Sequence, residues 1–138
     1  SSTPGHTQEV NLFLVNNSFY LVDLPGYGYA RGSSAMRDII HDRIEWYLFD
    51  TEIPHHKIVM IIDAKVGLTA DDKQMLALLE EHNKNIIIIA NKIDKLNMKE
   101  KHASLKKIKN DVGTHSIIPY SSTKKIGREK LLEEIGLK

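Results

Sequence analysis

The stretch "NIIIIANKID" (residues 85–94) decides the architecture. Its four consecutive isoleucines show no polar alternation, so both faces must be covered, the pattern of a strand inside a parallel sheet. The run is far shorter than the roughly 20 apolar residues that span a bilayer. It stops abruptly in a polar cluster, Asn91-Lys92-Ile93-Asp94. An upstream run, "KIVMIID" (57–63), has the same unbroken apolar character and also ends on an acid.

Helical patterns separate and follow these runs. "TADDKQMLALLEEH" (69–82) has Thr69 as cap, two acids in its first turn, and Met75, Leu76, Leu78 and Leu79 on one side. "MKEKHASLKKIKNDV" (98–112) is a basic helix with a thin apolar stripe, "SIIPY" (116–120) a short strand, and "GREKLLEEIGL" (127–137) a closing helix ended by Gly136. Strand and helix therefore alternate from residue 57 onward, which predicts right-handed βαβ crossovers and an α/β fold with a mostly parallel sheet. Upstream, "QEVNLFLV" (8–15) and "SFYLVD" (18–23) flank Asn16-Asn17, residues that tolerate positive φ, so a tight hairpin is expected. "SSAMRDIIHDRIEWYLFD" (33–50) reads as a helix burying Met36, Ile39, Ile40, Ile44, Tyr47 and Leu48.

Composition sets the bounds. With 41% apolar and 27% charged residues, the 138-residue chain has the balance of a globular domain. Cysteine is absent, which excludes disulfides and thiolate metal sites. The opening "SSTPGHTQEV" has neither the basic start nor the apolar stretch of a secretory signal, so a cytoplasmic protein without membrane attachment is expected. The net charge of +1 hides an asymmetry. Residues 1–91 hold 7 Lys/Arg against 12 Asp/Glu, and residues 92–138 hold 12 against 6. The basic third can be a nucleic-acid face or a pair of solvated lysine-rich helices. The histidines, His55-His56 with His41 and His82 apart, lack ligand spacing, and Asp71-Asp72 reads as first-turn helix charge.

In an open α/β sheet, ligands sit at the carboxyl ends of the strands. The residues there are Asp23-Leu24-Pro25-Gly26, Asp63-Ala64-Lys65, Asn91-Lys92-Ile93-Asp94 and Ser121-Ser122-Thr123. A carboxylate at Asp94 can accept two hydrogen bonds from the N1–H and exocyclic amine of guanine, a pair that adenine cannot offer. Asn91 can bond the other edge of the base, the Lys92 stem can cover the ring and ribose, and backbone N–H groups of Ser121–Thr123 can donate to the guanine carbonyl. Asp23 can hold a magnesium-bound water, and Gly26, lacking a Cβ, can bring its N–H to a terminal phosphate. Thr7, rather than Thr3, is the candidate hydroxyl ligand for Mg²⁺. Asp63 reads as a strand-end structural residue or as a support for the crevice.

Taken together, "TPGHTQEVNLFLVNNSFYLVDLPGYGYA", "IIDAKVGLTADDKQML", "NKIDKL" and "IPYSSTKKIGREKLLEEI" resemble the EngB/YihA/YsxC family of translation-factor-class GTPases over nearly the whole chain. The resemblance implies a P-loop GTPase-type three-layer α/β/α fold, its mostly parallel sheet carrying one antiparallel strand. It further implies a switch that binds GTP and GDP with Mg²⁺ and hydrolyses GTP during assembly of the large ribosomal subunit. That subunit or its rRNA is the implied partner, with a link to cell division and septation in bacterial members. By the same resemblance Thr7 is the switch I threonine, Asp23 and Gly26 are the switch II pair, Asn91, Lys92 and Asp94 read the base, and Ser121 and Ser122 stand in the last base-contacting loop. His6 occupies a position where the family commonly has Arg. Tyr27 stands where many GTPases have a water-positioning glutamine, so slow intrinsic hydrolysis and no assigned catalytic residue are expected. Nucleotide-dependent reordering is expected over roughly residues 3–8 and 24–36.

One element is missing from these residues: no G-x-x-x-x-G-K-[ST] occurs. By resemblance, the strand feeding that loop lies between the 19–23 and 57–63 strands. The chain is therefore expected to be a single GTPase domain, residues 1–138, cut short at its amino end, with the central first strand and phosphate loop absent. Such a chain should bind GTP weakly by itself and expose two sheet edges prone to pairing. The rival reading is a non-hydrolysing nucleotide- or RNA-binding scaffold.

Overall fold

The computed structural model describes residues 9–27 and 34–137. The chain packs as two compact units, Ser1–Pro54 and His55–Lys138.

In the first unit, β1 (Asn11–Val15) pairs antiparallel with β2 (Phe19–Asp23). The hairpin turns through three residues, Asn16, Asn17 and Ser18, with Asn16 and Asn17 left-handed at φ of 50° and 51° and the Ser18 N–H returned to the Val15 carbonyl at 3.0 Å. Leu12, Phe13, Leu14, Tyr20 and Leu21 are exposed on it. Helix α1 (Ser34–Glu45) widens into a π-helical turn over Trp46–Asp50, where the Thr51 N–H reaches the Trp46 carbonyl at 3.1 Å. Ile40, Ile44, Tyr47 and Leu48 are buried, and burial raises the Tyr47 phenol above its ordinary pKa. Ile39, expected inside, is exposed, and so is Trp46. Ile39 lies off the Ile40–Ile44 stripe by one 100° step, and the wider turn re-aims the side chains beyond it.

The second unit holds the parallel sheet. Strands β3 (Ile58–Asp63), β4 (Ile86–Asn91) and β5 (Ser116–Pro119) lie in the order β3-β4-β5, with helices α2 (Ala70–Glu81) and α3 (Met98–Val112) as crossovers and α4 (Arg128–Glu134) closing the chain. Two right-handed crossovers that advance in one direction put α2 and α3 on the same face. The opposite face carries α4, whose Leu131 packs with Ile135 and Tyr120 on Ile87, Ile89 and Ile118. Layering thus follows the strand parity that "IIII" conceals. The expected mostly parallel sheet is present. Among the described residues, the antiparallel pair forms a sheet of its own rather than an edge of that one.

Both crossover helices begin with reciprocal capping boxes. Thr69 Oγ1 accepts from Asp72 N–H while Asp72 accepts from Thr69 N–H, and Asn97 and Glu100 do the same for α3. The α3 box adds a start signal to the helix read from sequence at 98–112. No helix among the described residues is long and apolar enough to cross a membrane.

Residues Ile86–Ala90 are at most 3% exposed, and Ile88 is at 0%. Truncating Ile88 to Ala should therefore cost about 2–5 kcal/mol. Urea unfolding checks this as a lower midpoint at unchanged slope.

Candidate functional site

The carboxyl ends of β3, β4 and β5 are stitched together through backbone. Ala64 N–H donates to the Asn91 carbonyl at 2.8 Å, Tyr120 N–H to the Ala90 carbonyl at 2.8 Å, and Ile93 N–H to the Tyr120 carbonyl at 3.0 Å. Three of the four strand-end clusters read from the sequence therefore meet in one unit. The fourth, Asp23 to Gly26, belongs to the other. There Asp23 closes β2 with an exposed side chain, Pro25 is buried, Gly26 is exposed and Tyr27 is half-buried. Thr7, the proposed switch I residue, and most of the segments expected to reorder lie outside the described residues.

The centre of the site is the turn after β4. Lys92 adopts the left-handed conformation, φ 62° and ψ 31°, and opens a short 3-10 turn over Ile93–Lys95. A non-glycine residue there costs about 1–2 kcal/mol. Ile93 is 2% exposed, so the apolar third residue of N-K-I-D plugs the core while its three polar neighbours stay at the surface end of the strand. Asn91 Oδ1 is buried and meets no hydrogen-bond donor among the described residues, a cost that a ligand donor can relieve. The Lys92 ammonium lies 3.3 Å from Asp63 Oδ2, while Asp63 Oδ1 accepts the Lys65 N–H at 2.8 Å. Asp63 and Asn91 are register partners across β3 and β4. Asp63 thus orients the stem expected to cover the base, a role the sequence left undecided between structure and support.

Asp94 faces the loop after β5. Thr123 Oγ1 is 3.5 Å from its Oδ2, Ser121 Oγ lies 3.2 Å from Thr123 Oγ1, and Lys124 N–H donates to Ser121 Oγ at 3.1 Å. Hydrogen bonding from the Ser121 side chain chiefly holds the Asp94 carboxyl below its usual pKa. The ammonium groups of Lys95 and Lys124 add to the effect, and partial desolvation opposes it. The three residues of this loop divide the work. Ser121 is fully buried, and its N–H is already given to the Ile126 carbonyl at 3.0 Å. Ser121 therefore builds the loop and polarises Asp94. Ser122 and Thr123 are exposed, and their N–H groups have no backbone acceptor among the described residues. Burial of Ser121 follows from its bridge to Ile126, a pairing with no signature in the sequence.

Gly127 closes that loop at φ 82°, and a Cβ there would sit 2.3 Å from the Pro119 carbonyl oxygen. Outside the site, His55 Nδ1 lies 3.2 Å from the Lys84 ammonium, and its pKa is lowered, first by burial and then by that charge. Among the described residues, no group of three His, Cys, Asp or Glu side chains is placed to hold a metal.

Similarity to known proteins identifies the fold and the family. A family model described as "50S ribosome-binding GTPase" matches residues 1–92, and one described as "Elongation factor Tu GTP binding domain" matches residues 55–137. "Probable GTP-binding protein EngB" of Clostridium perfringens is 38% identical over 136 residues, covering 96% of this chain and 68% of that protein. Its namesake in Clostridioides difficile is 39% identical over 139 residues, 98% of this chain and 68% of that protein. A solved structure, "Crystal structure of a probable GTP-binding protein engB", superposes with a TM-score of 0.81 at 19% identity, over 98% of this chain and 84% of its own. The fold is that of the P-loop GTPases, α/β with a parallel sheet. Within that class, the chain belongs to the EngB family.

Replacing Gly127 with Ala forces strain in the left-handed region and a clash with backbone. Stability should fall by about 1–3 kcal/mol, read as a lower thermal midpoint. Amide shifts of Ser121–Thr123 in an NMR spectrum should move with it.

Proposed function

We propose that this chain forms the base-reading part of a guanine-nucleotide switch that binds GTP and GDP and hydrolyses GTP. The observation that carries the reading is the pairing of an ionised Asp94 with the orphaned acceptor of Asn91 at the end of one buried strand. Guanine presents two adjacent donors to the carboxylate, and an unpaired charge at that edge discriminates strongly against bases without them. The exposed N–H groups of Ser122 and Thr123 supply donors for the guanine carbonyl, and the Lys92 stem, held toward Asp63, supplies the wall for the ring.

In the first unit, Gly26 would offer its N–H to the γ-phosphate and Asp23 would hold a Mg²⁺-bound water. An exposed strand-end carboxylate is the hard oxygen donor that Mg²⁺ takes, so the residue fits, and Thr7 would complete the set. The ion, when bound, neutralises charge on the phosphates. Tyr27, a phenol in place of an amide, leaves water positioning to another group. Hydrolysis is accordingly slow without a partner, and no catalytic residue is assigned. We further propose the large ribosomal subunit or its rRNA as that partner, in a cytoplasmic role in subunit assembly and cell division. The description of the matched family model, "50S ribosome-binding GTPase", supports the ribosomal part. Both units would then act as one GTPase domain. The second reading, a scaffold that binds nucleotide or RNA without turnover, is favoured by Tyr27 and by the lack of a G-x-x-x-x-G-K-[ST] loop in these residues.

Asp94→Asn should lower affinity for GDP by about a hundredfold or more and turn preference toward xanthosine diphosphate. NMR titration with the two nucleotides checks this, and an unchanged preference for GDP would falsify the base reading. Because the Asp94 pKa is depressed, its carboxylate persists through the neutral and mildly acidic range. Guanine affinity should stay flat from about pH 8 to about pH 5. It should fall only as the pH drops through the range below 3.8, a profile that the same titration measures.

A further inference from the structure

Helix α3 carries lysines, Lys99, Lys106 and Lys109, that form no ion pair among the described residues. Lys99, His102, Lys106 and Lys109 are all exposed. At about 100° per residue they fall within an arc of about 80°, and they extend along about 15 Å of the axis. Residues three and four positions from each of them include no acid. The helix has two acids, and both are engaged elsewhere. Glu100 closes the capping box, and Asp111 lies 3.7 Å from the Lys73 ammonium. Lys106 and Lys109, like charges three positions apart, weaken a helix, and a merely solvated face ordinarily interleaves glutamates with its lysines.

The chemistry narrows what such a stripe can meet. The apolar side of α3 is already committed, with Ile108 at 0% and Val112 at 3% exposure, so the helix has no free apolar face to lay on a bilayer. It contains no Phe, Tyr or Trp and so offers no stacking platform for unpaired bases. Its remaining capacity is three lysine ammonium groups with an imidazole among them; ammonium groups are point charges suited to phosphates and blind to sequence. Lys107 is not part of the row, since its ammonium lies over Gly67, 3.8 Å from where a Cβ would stand.

We infer that the α3 row Lys99–His102–Lys106–Lys109 docks the phosphate backbone of double-helical RNA. This rests on the ribosomal reading of the protein's function, which makes RNA the polyanion at hand, and it names the surface that would meet it. The contact is electrostatic, separate from the base-reading residues, and independent of which nucleotide is bound.

The test follows a short fluorescent RNA duplex by anisotropy as salt rises from about 50 to about 200 mM. Each lysine that contacts phosphate contributes about 0.9 to the log–log salt slope. The variant K99Q/K106Q/K109Q should therefore lose about 2–3 units of slope and bind at least about tenfold more weakly at the low-salt end. A control, K57Q/K84Q/K130Q, removes as many charges elsewhere and should keep both the slope and the affinity within about twofold. An unchanged slope in the first variant, or an equal loss in the control, overturns the proposal. So does displacement of the duplex by polyglutamate as effectively as by unlabelled duplex, which would assign the row to an acidic protein. Equal binding of a single strand would overturn the double-helical part. GDP binding is measured separately by NMR on the wild type. Its absence there would overturn the nucleotide reading while leaving the salt slopes interpretable.

Discussion

The site depends on a single backbone turn. Where β4 ends, the chain must leave a fully buried strand and turn Lys92 and Asp94 toward the surface beside the buried Oδ1 of Asn91, and it does so by taking Lys92 through the left-handed region. That conformation is unfavourable for lysine and persists because its surroundings determine it. Ile93 is anchored in the core beyond it, Ile93 N–H is bonded to the Tyr120 carbonyl, and Lys95 N–H closes back on the Lys92 carbonyl at 3.0 Å. Its ammonium is drawn to Asp63 at the end of the neighbouring strand. An exposed ion pair of this kind contributes little to stability. Its value lies in direction.

The same turn links packing to electrostatics. Because β3, β4 and β5 run parallel and in register, their carboxyl ends finish at one level, and short loops suffice to bring Asp63, Asn91, Asp94 and the residues 121–123 together. Ser104 on α3 donates to the Ala64 carbonyl at 2.5 Å, so the crossover helix also grips the loop after β3. The core therefore sets the positions of the polar groups. In return, the hydroxyls of Ser121 and Thr123 and the lysines around Asp94 keep its charge in place without burying it.

Much of this was legible from residue types. Unbroken isoleucines demand cover on both faces, and Thr69 marks a helix start by its hydrogen-bonding capacity. The Asn-Asn turn follows from tolerance of positive φ. The features that stayed hidden depend on contacts distant in sequence. The division of labour within Ser121–Thr123 needs the pairing with Ile126, and the role of Asp63 needs the register that sets it beside Asn91. The widening of α1 at Trp46 interrupts no apolar spacing, so periodicity continues through it while the geometry changes. The strand-end rule placed the candidate residues, but the separation of the hairpin into its own sheet could not be read from strand patterns.

The loop after β4 is clamped at both ends, by the sheet before it and by the Asn97–Glu100 box after it. The entropy of ordering this segment is therefore surrendered when the protein folds, not when a ligand arrives. Calorimetrically, a ligand held by this loop would dock onto a rigid body. The heat-capacity change reflects only the surface covered, without the large negative increment of a segment that folds around its guest.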